Sequence, residues 1–127
     1  MSAKPVIKSR MHHNAHVTKD MAAVRHFYEE IIGFPLVATW CEVTDLFGKE
    51  RVYMHCFFDI GDGSCLAFFQ FADEDDAQEF GPDLPRSGFR HLAMKVDQET
   101  QGSVHQLHVA QELRFVNRQN LSNGLQL

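Results

Sequence analysis

The chain has 127 residues, 44% hydrophobic and 23% charged, with a formal net charge of −5 at pH 7. That size suits one domain around one core, and the composition excludes extensive disorder. The acidic balance without a basic stripe argues against nucleic acid as the main partner. No apolar run approaches the roughly 18 to 20 residues that a membrane span needs, and Met1 to Arg10 lacks the apolar core of a signal peptide, so a cytoplasmic address is expected.

Met11 to Thr18 reads as a first, polar strand carrying His12, His13 and His16. Asp20 is a good helix N-cap, and Met21, Val24, Phe27, Tyr28, Ile31 and Ile32 recur at helical spacing, so Asp20 to Ile32 is expected to be an amphipathic helix stopped by Gly33 and Pro35. Leu36 to Val43 follows as a strand, then a loop with Gly48. Arg51 to Ile60 alternates with a period of two. Val52, Met54, Cys56, Phe58 and Ile60 form one apolar face, and Arg51, Tyr53, His55, Phe57 and Asp59 form the other. Gly61-Asp62-Gly63-Ser64 is a hairpin turn, from which Cys65 to Phe71 returns as the next strand.

Asp73 to Glu79 is an acidic run followed by Gly81, Pro82 and Pro85, which reads as a solvated connector. Phe89 to Val96 reads as another strand and Gln98 to Glu112 as a helix. Arg114 to Asn117 and Gly124 to Leu127 read as short strands. The second half thus begins like a repeat of the first and ends early. The expected organisation is a single domain, 1–127, with a first module at 10–72, the connector at 73–87 and a shortened second module at 88–127.

The cysteines, Cys41, Cys56 and Cys65, are odd in number and widely spaced, which suits reduced strand residues rather than a disulfide frame or zinc knuckle. Eight histidines are many for this length. Histidine is the commonest metal ligand and titrates nearest neutral pH, so their positions decide their meaning. His16 and Asn14 read as hydrogen-bonded residues against the helix, and His26 as partly exposed. His105 and His108 are assigned no role.

Two segments carry a family resemblance. The run His13-Asn-Ala-His-Val-Thr-Lys-Asp20, leading into His26-Phe-Tyr-Glu-Glu-Ile-Ile-Gly33, resembles the opening of a vicinal oxygen chelate module. Gly88-Phe-Arg-His91-Leu-Ala-Met-Lys-Val-Asp97 resembles the first strand of a second module. Between them, His55 to Phe71 is similar to the third and fourth strands of the extradiol ring-cleaving branch. The resemblance implies an α+β fold of paired βαβββ modules, with curled mixed sheets around a cup and the second module abbreviated.

The resemblance further implies that His13 and His91 hold a divalent metal across the cup, Fe(II) or Mn(II) first and Zn or Ni second. It implies a small-molecule substrate with adjacent oxygens, and a homodimer that covers the strand edges left by the abbreviated second sheet. His55 can act as acid or base toward a bound hydroxyl, or be a hydrogen-bonded core histidine. Tyr53, Phe57 and Phe69 are the expected substrate-facing residues. The family's carboxylate ligand comes from a last-strand run resembling Asp-Pro-Asn-Gly-x-x-x-Glu. Here the run is Ser122-Asn123-Gly124-Leu125-Gln126-Leu127, where Gln126 shares the parity of that Glu. The other place for a Glu, on the fourth strand, is Ala67. The implied function is an extradiol dioxygenase on a small aromatic diol. Its alternatives are a glyoxalase-like lyase or isomerase, and a resistance-type binding module that needs no metal.

Overall fold

A computed structural model of the chain describes residues 2–81, 92–107, 114–116 and 124–126. The chain divides into two compact units, Met1–Asp83 and Leu84–Leu127. The first contains β1 (His13–Val17), α1 (Met21–Arg25) running on as a π-helical stretch (His26–Ile32), β2 (Leu36–Leu46), β3 (Lys49–Asp59), β4 (Cys65–Phe71) and α2 (Glu74–Phe80). Its four-stranded sheet has the order β1-β4-β3-β2, with β1 parallel to β4 and the other pairs antiparallel. This is a βαβββ module whose sheet is open among the described residues, with β1 and β2 as its two outer strands.

The helix starts where the sequence places it. The Asp20 carboxylate accepts from the Ala23 amide at 3.0 Å, a cap of the kind that contributes about 1 kcal/mol. Gly33 ends the helix in the left-handed region, at φ 91°, a conformation that favours glycine. From His26 onward the turns widen to π geometry. The apolar spacing does not reveal this, since three- and four-residue steps suit an α or a π turn alike.

The hydrophobic core lies on the helix-facing side of the sheet. Cys56 and Phe58 of β3 and Leu66 and Phe68 of β4 are buried, and the Tyr28 ring lies 6.0 Å from Phe58 and 5.2 Å from Phe68. The Met21 amide donates to the Gln70 side chain at 2.8 Å, pinning the start of the helix to β4. Each fully buried Phe or Leu contributes roughly 1.5–3 kcal/mol, and this layer therefore sets which side of β3 faces inward.

The β2–β3 hairpin is longer than the sequence suggests. Pairing continues to Leu46↔Lys49, and the reversal is made by Phe47 and Gly48, at φ 58° and 78°. Two successive positive φ values are the I′ turn geometry that matches strand twist. Glycine takes that conformation freely, whereas phenylalanine there costs about 1–2 kcal/mol. This is why a Phe-Gly pair does not announce a tight hairpin.

The acidic run is largely exposed, as its composition suggests, but it forms α2 and carries one buried acid. Asp73 caps α2, accepting from the Asp75 amide at 2.8 Å, and Asp76 is 1% exposed. Asp76 accepts from Arg51 Nη1 at 2.7 Å and from Lys49 Nζ at 3.0 Å. Arg51 also donates to Glu79 at 2.8 Å and to the Leu46 carbonyl at 3.0 Å, and lies 4.6 Å from the Phe80 ring. Phe80 in turn stacks on Phe71, with ring centres 5.2 Å apart. A charge run reads as surface because its cationic partners, Lys49 and Arg51, are some 25 residues away in sequence.

In the second unit β5 (Ala93–Lys95), α3 (Gln98–Leu107), β6 (Arg114–Val116) and β7 (Gly124–Gln126) form a βαββ arrangement, with strand order β5-β7-β6 and all pairs antiparallel. Asp97 accepts from the Thr100 amide at 2.7 Å and caps α3. These elements match the expected strand, helix and two short strands. The part of the first strand before Leu92, His91 included, lies outside the described residues.

Removing the Asp76 carboxylate leaves the buried Arg51 with the exposed Glu79 as its remaining carboxylate partner. Asp76→Ala is expected to lower stability by about 3 kcal/mol, read as a shift of the urea unfolding midpoint at unchanged slope.

Candidate functional site

The face of the first sheet turned away from the helix is built in rows by strand register. His13 pairs with Cys65, and Cys65 with Asp59. In the next row Ala15, Ala67, Phe57 and Ala38 run side by side, then Val17, Phe69, His55 and Trp40, then Phe71, Tyr53 and Glu42. The alternation read from β3 is therefore correct. His13, Tyr53, His55, Phe57 and Phe69, five of the six sequence-predicted site residues, share one face. His91, the sixth, lies outside the described residues, and so does the side chain of Gln126.

The second row explains how the imidazoles approach each other. Ala15 and Ala67 carry only methyl groups, so the rings above and below them lean inward. The His13 ring centre lies 6.1 Å from His55 and 5.1 Å from Phe57, although β4 separates the two strands. Ala67, the place on the fourth strand to which the resemblance would assign a glutamate, is fully buried. No carboxylate arises from the fourth strand there.

His55 is the centre of the cluster. Its ring stacks on Phe69 at 3.6 Å between centroids, with Phe57 at 4.2 Å and Trp40 at 5.3 Å. It is 6% exposed, and its Nε2 has no hydrogen-bond partner among the described residues. Burial, helped by the nearby His13 and opposed by Glu42, pushes its pKa down to about 4. The ring is therefore neutral at pH 7, with one nitrogen in an apolar wall lacking the partner that a buried polar atom needs.

Two residues of this face were not singled out from sequence. Trp40 stacks on Phe57 at 4.8 Å, and Glu42 accepts the Tyr53 hydroxyl at 2.6 Å. That bond, with some burial, raises the tyrosine pKa. The signal was within reach: once β2 is a hairpin partner of β3, even-numbered β2 residues must face the same way as His55. Asn14 and His16 point to the other face, where the His16 ring lies 5.7 Å from Phe68 and burial lowers its pKa. His26 forms an exposed pair with Glu30 at 2.8 Å, as expected. His12 meets His13 through their Nδ1 atoms, 2.7 Å apart.

As a donor set, the described residues provide imidazoles at His13 and His55. Among them no group of three or more His, Cys, Asp or Glu is placed to hold a metal ion. Phe57, Phe69 and Trp40 gather aromatic surface around a neutral imidazole whose Nε2 is buried without a partner among the described residues.

The depressed His55 pKa fixes a pH dependence. The unfolded chain takes up a proton near pH 6.5 and the folded one near 4, so this contribution to stability is complete above 6.5. It is lost as pH falls through that window and amounts to about 3 kcal/mol in all. Histidine NMR in the metal-free protein is expected to show the His55 ring neutral at pH 5.5, while an ordinary histidine is mostly protonated.

Comparison with known proteins agrees with this geometry. No curated protein matches the chain. The family model described as Glyoxalase/Bleomycin resistance protein/Dioxygenase superfamily matches residues 10–106. The match spans β1, the first module and the opening of the second, including the face that carries His13 and His55. The chain belongs to the glyoxalase/bleomycin resistance protein/dioxygenase superfamily.

Proposed function

We propose that the chain binds a small aromatic molecule with adjacent oxygens on the His13–His55 face, and that it acts on that molecule as a metal-dependent ring-cleaving dioxygenase of the extradiol type. The observation that carries the reading is the buried, unpartnered Nε2 of His55, stacked on Phe69 beside His13. A polar atom kept dry and unpaired in an aromatic wall is suited to a ligand hydroxyl that arrives together with a flat ring. In this reading Phe57 and Phe69 hold the ring and Tyr53, tied to Glu42, borders it. The neutral His55 accepts a hydrogen bond from the bound hydroxyl.

His13 and His91 are the proposed metal ligands, with Fe(II) or Mn(II) as the ion. Such an ion supplies Lewis-acid polarisation of two adjacent oxygens. Within the described residues the donor set is short of the three that an iron centre of this kind uses. A glyoxalase-like lyase needs a glutamate on this face to move the proton, and Ala67 weighs against that version. Ala67 also favours a second reading, a resistance-type module that sequesters an aromatic compound without metal. No helix among the described residues is long and apolar enough to cross a membrane.

Plasma mass spectrometry on untagged protein, purified anaerobically without chelators, is expected to find about one equivalent of iron or manganese per chain. The double variant His13→Ala/His91→Ala is expected to lose it. Unchanged metal in that variant rules out the ligand assignment. No metal, and no uptake of Fe(II), Mn(II) or Zn, leaves the binding reading. If catechols are cleaved, His55→Gln is expected to lower kcat by about 100-fold at unchanged metal content.

A further inference from the structure

The outer edge of the first sheet carries its own message. β2 spans eleven residues, Leu36–Leu46, and among the described residues it pairs only with β3. Its other side presents a row of backbone donors and acceptors. Natural edges of this length are blunted by lysine, proline, free charges or bulges. Between Leu36 and Leu46 there is no Lys, Arg or Pro. The two acids are engaged within the chain: Glu42 with the Tyr53 hydroxyl, and Asp45 with the Gly48 amide at 3.2 Å. A register shift between Leu36 and Ala38 leaves the strand regular from Ala38 onward. The same strand exposes Val37 (53%), Trp40 (42%) and Val43 (63%).

We propose that β2 is a homodimer interface, pairing antiparallel with β2 of a second copy about a two-fold axis at Trp40. Symmetry reduces the choices to a few. Directly opposite residues in an antiparallel pair are both hydrogen-bonded or both not, so opposite residues share parity and the axis must pass through a residue. An axis at Glu42 sets two like charges face to face, which is destabilising. An axis at Cys41 sets Trp40 against Glu42 and Val37 beside Asp45. An axis at Thr39 leaves Val43 beyond the pairing.

Only the axis at Trp40 matches every exposed apolar side chain of the strand with another. Trp40 meets its own copy, and Val37 and Val43 of opposite copies flank the regular segment Ala38–Glu42. The contact is isologous, as a closed dimer requires, and joins two four-stranded sheets into one. Aromatic and β-branched cross-strand pairs are the combinations that stabilise such a ladder. Trp40 borders the candidate site as well, and separate measurements keep the two readings distinguishable: association state tests one and metal content the other.

Sedimentation equilibrium of the full chain over a concentration series is expected to show a monomer–dimer equilibrium. Val43→Lys and Val37→Lys are each expected to weaken it by at least about 100-fold, the scale of a few lost apolar contacts, with the monomer still folded by circular dichroism. The variant Ala38→Cys/Glu42→Cys/Cys41→Ser is expected to form a covalent dimer on mild oxidation, through two symmetry-related 38–42 bonds. A monomer at every concentration overturns the proposal, as does a dimer indifferent to both lysine variants. Efficient Cys41–Cys41 cross-linking of the parent chain, with no 38–42 bond in the variant, overturns the Trp40 axis.

Discussion

The burial of Cys56 and Phe58 beneath the helix is the constraint on which the rest of the first module depends. β3 lies between β4 and β2, so its orientation is transmitted to both. With Phe58 fully buried against the Tyr28 layer, the intervening residues His55 and Phe57 must face the other way. A slip of one residue would exchange the two faces and place a histidine in the core. The apolar energy of one side therefore positions the polar chemistry of the other.

The face that carries His13 and His55 is shaped by size as much as by polarity. Ala15 and Ala67 leave a low floor between His13 and His55, and the surrounding rings converge over it. A glutamate at position 67 would place a carboxylate on this face but fill that floor. At the far end of the face, Arg51 and Asp76 hold α2 so that Phe80 stacks on Phe71. The strained Phe47 turn sits beside it, its ring 5.9 Å from Phe80.

The second unit illustrates how a strand count governs polarity. In a βαβββ module the first and last strands run parallel, as β1 and β4 do. With one strand fewer among the described residues, the last strand arrives from the opposite end, and β5 pairs antiparallel with β7. The order, first strand beside last, is kept while the direction is reversed. The shortening read from the sequence thus has a topological consequence that the sequence pattern does not show.

Local periodicity and cap chemistry by themselves determined a good deal of this protein. They carried the Asp20-capped helix, the alternation of β3 that puts His55 and Phe57 on one face, and the Gly61–Ser64 hairpin, because each follows from steps of two or four residues along one segment; His13 and Phe69 were added to that face by the family resemblance. The tertiary structure alone decided the π widening after His26, the Phe47 turn, the burial of Asp76 and the place of Trp40 and Glu42 beside the candidate site. These depend on partners far away in the chain, such as Arg51 for Asp76 and His55 for Trp40. A pattern read along the sequence contains the period of a strand but not its register against a neighbour, and it is register that brings side chains together.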